Sequence, residues 1–171
     1  MKTLLILFTF LWSPAPNNLH KPSLVEIRNL LMQAAESKKA NTQLKAALAQ
    51  YAENNTVING YRGVSTMIEA KHMFNPLSRW NKFKEGRAMM EDAIKTDVNN
   101  FELRYLRFAI QTSVPPVLGY SKNIEEDKKL LIAQLERVKD SDLRTRTVKY
   151  LMSTKYCTPE ELNKLKKWKT A

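Results

Sequence analysis

Phe101-Glu102-Leu103-Arg104-Tyr105-Leu106-Arg107-Phe108-Ala109-Ile110-Gln111-Thr112 is apolar around most of a helical circumference. A helix that is hydrophobic on nearly every side belongs in an interior, with other helices around it. The exception is a polar stripe. Arg104, Arg107 and Gln111 sit at i, i+3 and i+7, which places them on one face. A charge on a buried helix is tolerated only when it is paired. The stripe therefore has three readings. Glu69, Glu91 or Glu102 pairs with the arginines and the stripe fixes helix packing, or the two guanidinium forks face a cleft and clamp a carboxylate or phosphate, or they belong to a catalytic site.

Working toward the N-terminus, Asp97-Val98-Asn99-Asn100 is a turn. Before it, a fourth helix from about Leu77 to Thr96 carries Trp80, Phe83, Met90 and Ile94 near one side. Gly86 and Ala93 permit close helix contact there. Asn75-Pro76 ends a third helix, Thr56 to Met73, because the residue before a proline avoids the helical region. Val57, Tyr61, Val64 and Ile68 form its apolar stripe. A second helix is expected from near Asn41, with Leu44, Leu48 and Tyr51, and Asn54-Asn55 breaks it. Ser23 with Glu26 makes a capping box for the first helix, where Leu24, Ile27, Leu31 and Ala34 recur at helical spacing.

Toward the C-terminus, Val114-Pro115-Pro116-Val117-Leu118-Gly119-Tyr120 reads as a packed apolar loop, since two prolines and a glycine prevent a regular helix. Asn123 with Glu126 is expected to cap a sixth helix bearing Ile124, Leu131, Leu135 and Val138. A seventh with Leu143, Thr147, Tyr150 and Leu151 follows Ser141-Asp142. Thr158-Pro159-Glu160-Glu161 starts the last: a cap residue, proline in the first turn, then acidic residues. Leu162, Leu165 and Trp168 give it an apolar side, and Lys164, Lys166, Lys167 and Lys169 complement the dipole at its end. Only 4 Gly and 7 Pro occur in 171 residues, too few for many hairpin turns. The expected fold is all-α, an antiparallel helix-hairpin bundle or a short solenoid of seven to eight helices.

Phe83-x-x-Gly86-x-x-x-Met90-x-x-Ala93-Ile94 followed by Asn99-Asn100 resembles the second helix of a tetratricopeptide repeat, which implies stacked helix hairpins. A wider set of residues is Gly60-Tyr61-Arg62-Gly63, Glu69-Ala70, Asn75-Pro76, Phe83, Gly86, Glu91-x-Ala93-Ile94, Asn100-x-Glu102-x-Arg104-x-Leu106-Arg107 and Pro116-x-Leu118-Gly119-Tyr120. Over residues 57–135 it resembles a family of uncharacterised exported bacterial helical proteins. That resemblance implies export and an α fold, and no activity.

Lys2 and the apolar run Leu4–Trp12, closed by Ser13-Pro14-Ala15-Pro16, read as a secretory signal peptide over residues 1–19. The run is too short to span a bilayer, which takes about 20 residues. Residues 20–171 are then one helical domain, exported to the periplasm or secreted, with no transmembrane span. The formal net charge is +11, which favours acidic partners, although the basic residues are spread along the chain. Cys157 is the one cysteine, so an internal disulfide is excluded. Lys155 and the helix start at Thr158 are expected to lower its pKa.

Enzyme templates fail. His20 and His72 are the two histidines, and no HExxH, GxSxG, phosphate-binding glycine loop or CxxC occurs. No catalytic residue, metal or cofactor is implied, apart from a Glu69–His72 couple at i, i+3 that has the elements of acid–base work. Arg62, Thr66 and Glu69 share a face of the third helix, with His72 a turn beyond. The expected function is a non-catalytic protein- or peptide-binding module of the cell envelope. Its candidate binding residues are Arg62, Glu69, His72, Arg104, Arg107 and Gln111. One alternative is a basic surface for anionic membrane or acidic glycan, formed by Lys71, Arg79, Lys82, Lys84 and Arg87 with Trp80 and Phe83 interleaved. Another is an enzyme of unknown class. Export disfavours a nucleic acid partner.

Overall fold

Short polar side chains decide where the helices begin. The computed structural model describes residues 21–168. Within them lie eight α-helices and no strand: α1 Leu24–Ala34, α2 Lys38–Leu48, α3 Thr56–Lys71, α4 Pro76–Thr96, α5 Phe101–Ser113, α6 Ile124–Gln134, α7 Ser141–Ser153 and α8 Pro159–Lys166. Ser23, Ser37, Asn55, Asn75, Asn100, Asp140 and Thr158 each accept a hydrogen bond from a backbone N–H of the following first turn. Such a cap satisfies a donor that the helix itself leaves free and contributes about 1 kcal/mol. The signal segment 1–19, His20 and Lys169 lie outside the described residues.

Two starts and one cap differ from the sequence expectation, each for a local reason. The α2 helix opens at Lys38 rather than Asn41, because Ser37 caps it. Asn41 instead is buried between helices: its Nδ2 donates to the Ser65 carbonyl at 3.1 Å and its Oδ1 accepts from Ser65 Oγ at 2.7 Å. Asn123 does not cap α6 through its side chain. That side chain donates to Glu126 at 2.9 Å, and its backbone N–H donates to Gln111 Oε1 at 3.1 Å. The α7 helix opens at Ser141 itself, capped by Asp140.

Consecutive helices pack as pairs, α1 on α2, α3 on α4, α5 on α6 and α7 on α8. The α3–α4 pair is antiparallel and very close. A Cβ placed on Gly63 would lie 2.7 Å from the Gly86 carbonyl oxygen and 2.9 Å from the Met90 nitrogen. One placed on Gly86 would lie 2.5 Å from the Gly63 carbonyl oxygen and 2.7 Å from the Met67 nitrogen. Only glycine lets two helix backbones meet at that distance.

Two apolar clusters result, and α5 stands between them. Leu103 and Leu106 join a first cluster with Ile27, Leu44, Ile58, Tyr61, Val64 and Met90. Phe108 joins a second with Ile124, Leu131, Leu135, Val148, Leu151 and Leu165. The expected central helix is therefore central, and its two apolar faces serve different neighbours. Beyond Gln134 the α6 chain tightens into a 3₁₀ turn, Leu135–Arg137, so Val138 is extended rather than helical. The loop after α5 is only half packed. It makes a 3₁₀ turn over Pro116–Leu118, and Gly119 then adopts φ 58°. Tyr120 is buried against Phe83, whereas Val117 is 88% exposed.

Candidate functional site

The α5 stripe is fully engaged with the protein's own acids. The Arg107 fork meets Asp127 of α6, Nε donating to Oδ2 and Nη2 to Oδ1, both at 2.7 Å. Its Nη1 donates to Glu91 of α4 at 2.9 Å. Arg104 Nη1 donates to Asp127 at 2.8 Å and to Glu126 at 2.6 Å, and its Nε donates to the Val98 carbonyl at 2.7 Å. Asp127 is 0% exposed. Burial by itself pushes the Arg107 guanidinium down, but the bonds to Asp127 and the charge of Glu91 outweigh it and hold it above its ordinary value. Glu91 also accepts from the Tyr120 hydroxyl at 2.7 Å. Burial, and then that bond, raise the Tyr120 phenol above its ordinary value. Gln111 closes the stripe on Asn123.

Of the three acids expected to pair with the stripe, Glu91 does so, and Glu69 and Glu102 do not. Glu102 points to the other side of α5, where Arg28 of α1 forks it with Nε–Oε1 at 2.7 Å and Nη2–Oε2 at 3.0 Å. Arg28 also donates to Asp140 at 2.8 Å and Asp142 at 2.9 Å, in the cap and first turn of α7. Tyr61 donates to Glu102 at 2.5 Å. One buried guanidinium thus ties α1, α5 and α7 together. Burial opposes its charge, but the bonds to Glu102 and Asp140 prevail and raise it. Sequence reading missed Arg28 because a single arginine beside Ile27 resembles any helix-surface cation. It missed Asp127 because Glu125-Glu126-Asp127 resembles a dipole-complementing first turn. A fourth buried cation, Lys128, donates to the Tyr156 carbonyl at 2.7 Å and sits 2.9 Å from Glu125 and 3.1 Å from Glu161.

Arg62, Glu69 and His72 share no partner with Arg104 and Arg107. Arg62 donates to the Leu48 and Tyr51 carbonyls at 3.0 and 2.8 Å, at and just past the C-terminal end of α2. Glu69 accepts from Lys45 at 2.8 Å, a bond that lowers its pKa. No side-chain hydrogen bond joins Glu69 to His72, whose backbone N–H donates to the Glu69 carbonyl at the end of α3 and whose buried Nε2 has no partner among the described residues. Cys157 corrects an expectation: burial, then the charge of Glu161, raise its thiol, because Lys155 faces Tyr156 instead.

The basic segment divides. Lys82 pairs with Glu85 at 2.8 Å. Lys84 lies 5.6 Å from the Trp80 ring centre and Arg87 lies 4.9 Å from the Tyr120 ring centre. Lys71 donates to the Ala35 carbonyl at 2.6 Å. Lys71 and Arg79 border a groove of about 740 Å³ at the shared end of α1, α3, α4 and α5. Its lining is mostly apolar: Met67 and Ile68, Trp80 and Phe83, Ile110, and the loop residues Val117 and Leu118. Trp80 and Phe83 stack at 6.3 Å. Nearby in the chain, Phe74 and Leu77 are exposed. No single segment carries enough of this lining to announce it in the sequence.

Among the described residues no group of three or more His, Cys, Asp and Glu side chains is placed to hold a metal ion. No helix among them is long and apolar enough to cross a membrane. Comparison with protein-family models, curated proteins and solved structures finds no match for the chain.

Proposed function

We propose that this protein is an exported, non-catalytic helical module that binds a protein or peptide segment in the cell envelope, and that the groove between α3, α4 and the α5–α6 loop receives it. Export rests on the charged start and apolar run of residues 1–19, and on the resemblance to exported helical proteins over residues 57–135. The observation that carries the binding reading is an open groove of about 740 Å³ with apolar walls in a chain that pairs its buried charges elsewhere. Ligand grooves have this size and lining, with a few polar groups at the rim. Trp80 at its edge is the residue type that most often anchors a partner. Arg104 and Arg107 have the opposite character, because their donors serve Asp127, Glu91, Glu126 and Val98. They hold the groove's walls in register, and the partner does not touch them.

Selection of a displayed random-peptide library on the full chain tests this. Selected peptides are expected to bind in solution and to lose affinity for Val117→Asn, whose side chain is 88% exposed and adds nothing to the core. Peptides that bind wild type and the variant equally would place recognition elsewhere on the molecule.

A further inference from the structure

We infer, building on that binding reading, that the groove's occupant is an acidic peptide segment of another protein, with apolar side chains seated inside and carboxylates at the rim. The argument comes from which cations lack acids. Arg28, Arg104, Arg107 and Lys128 are all buried and each has carboxylate partners. Lys71 and Arg79, both exposed at the groove, have none among the described residues. Lys71 reaches only a backbone carbonyl at the end of α1. Glu36 is the single acid among the lining residues. An apolar cleft lined by two cations that pair with no acid, against one carboxylate, is complementary to an apolar segment flanked by Glu or Asp. The net charge of +11 adds a long-range attraction of the same sign.

The magnitudes set what each part contributes. Rim ion pairs in water are weak, and they act mainly on encounter rate and on the choice between partners. The apolar seat supplies affinity, and the cations supply selectivity. Acidic over basic preference is therefore expected at roughly tenfold near physiological salt, shrinking as salt screens it.

Three fluorescein-labelled peptides with the same Leu and Phe placement, flanked by Glu, Ser or Lys, are titrated with the full chain by anisotropy. The inference expects the Glu peptide to bind tightest. It expects a Lys71→Glu, Arg79→Glu double variant to reverse the order, and Val117→Asn to weaken all three peptides. Circular dichroism on each variant establishes that it is folded. Equal binding of the three peptides, all weakened by Val117→Asn, would overturn the acidic preference and leave the groove as a peptide site. Absence of binding by any of them, or indifference to Val117→Asn, would overturn the groove reading itself. If phosphatidylglycerol vesicles bind the chain through Val117 while no peptide does, the occupant is a lipid surface and the peptide assignment is wrong.

Discussion

The α3–α4 contact and the α5–α6 contact hold helices together by opposite means. At α3–α4 the backbones touch through Gly63 and Gly86, and Val64, Met67 and Met90 pack around the crossing. At α5–α6 the helices meet through Arg104, Arg107 and Asp127. The first interface tolerates no added volume, because its closest atoms are backbone and have nowhere to go. The second tolerates no lost charge, because each ion was taken out of water and is compensated only by its partners. Dispersion and apolar burial stabilise the first. For the second, desolvation and Coulomb attraction nearly cancel, so it adds specificity of helix placement more than net stability.

Removing one partner of the charged contact is the most damaging change. Asp127→Ala leaves Arg107 with Glu91 alone and Arg104 with the solvent-facing Glu126, and is expected to cost about 3–5 kcal/mol in urea unfolding. Replacing Arg107 by Met and Asp127 by Leu together is expected to cost much less than the two single changes summed. Additive losses would mean that the two side chains are not energetically coupled.

Adding one methyl to the close contact ranks next. Gly86→Ala meets backbone on α3 at 2.5 and 2.7 Å and should lose about 1–3 kcal/mol. Gly60→Ala is the control. Its nearest neighbour is the Leu103 side chain, which can rotate, and alanine gains helix propensity there. A smaller loss than at Gly86 is expected by the same unfolding measurement. Equal losses would remove backbone contact as the reason.

The two charged networks, unlike the glycine contact, respond to pH. Asp140 and Asp142 have folded pKa values below the ordinary 3.8: burial raises them, but the Leu143 amide and Arg28 lower Asp140, and Arg146 and Arg28 lower Asp142. Their contribution is present above that value and is lost as pH falls through the folded values. Midpoint denaturant concentration should therefore drop below about pH 4. On the alkaline side, burial lifts Tyr61 and Tyr120 above the ordinary 10.0 and Tyr105 to about 12. Their contribution is complete below pH 10 and is lost as pH rises through the folded values. A midpoint unchanged between pH 9 and 11 would show that the phenols titrate normally.

The smallest effect belongs to the exposed ion pair. Lys45→Ala removes the bond to Glu69 across α2 and α3, and should change stability by less than about 1 kcal/mol, since both side chains reach water. The same change made at Lys128 should cost more, because Lys128 is buried and serves Tyr156, Glu125 and Glu161.

Legibility followed distance along the chain. Ser23 with Glu26 was readable as a capping box, and Thr158-Pro159-Glu160-Glu161 as a helix start, because the residues involved lie within three positions. The burial of α5 and its stripe were readable because periodicity is local. Asn41 misled, since a residue suited to capping was used instead as a buried link to Ser65. Among the candidate residues, Arg104, Arg107 and Gln111 stand together as spacing required. Arg62 and Glu69 went to α2, because helix rotation and not sequence spacing selects the neighbour.

The sequence by itself determined an all-helical chain, most of its helix starts, the central place of α5 and the excess of positive charge. Those properties depend on residues within a turn or two of each other, or on composition. Tertiary structure alone decided that Arg28 would meet Glu102, 74 positions away, and Asp142, 114 positions away. It alone left Lys71 and Arg79 at the rim of an apolar groove with no acid partner among the described residues. Pairing and exposure depend on how helices rotate and cross, and that is set by close contacts such as Gly63 on Gly86, which no local pattern encodes.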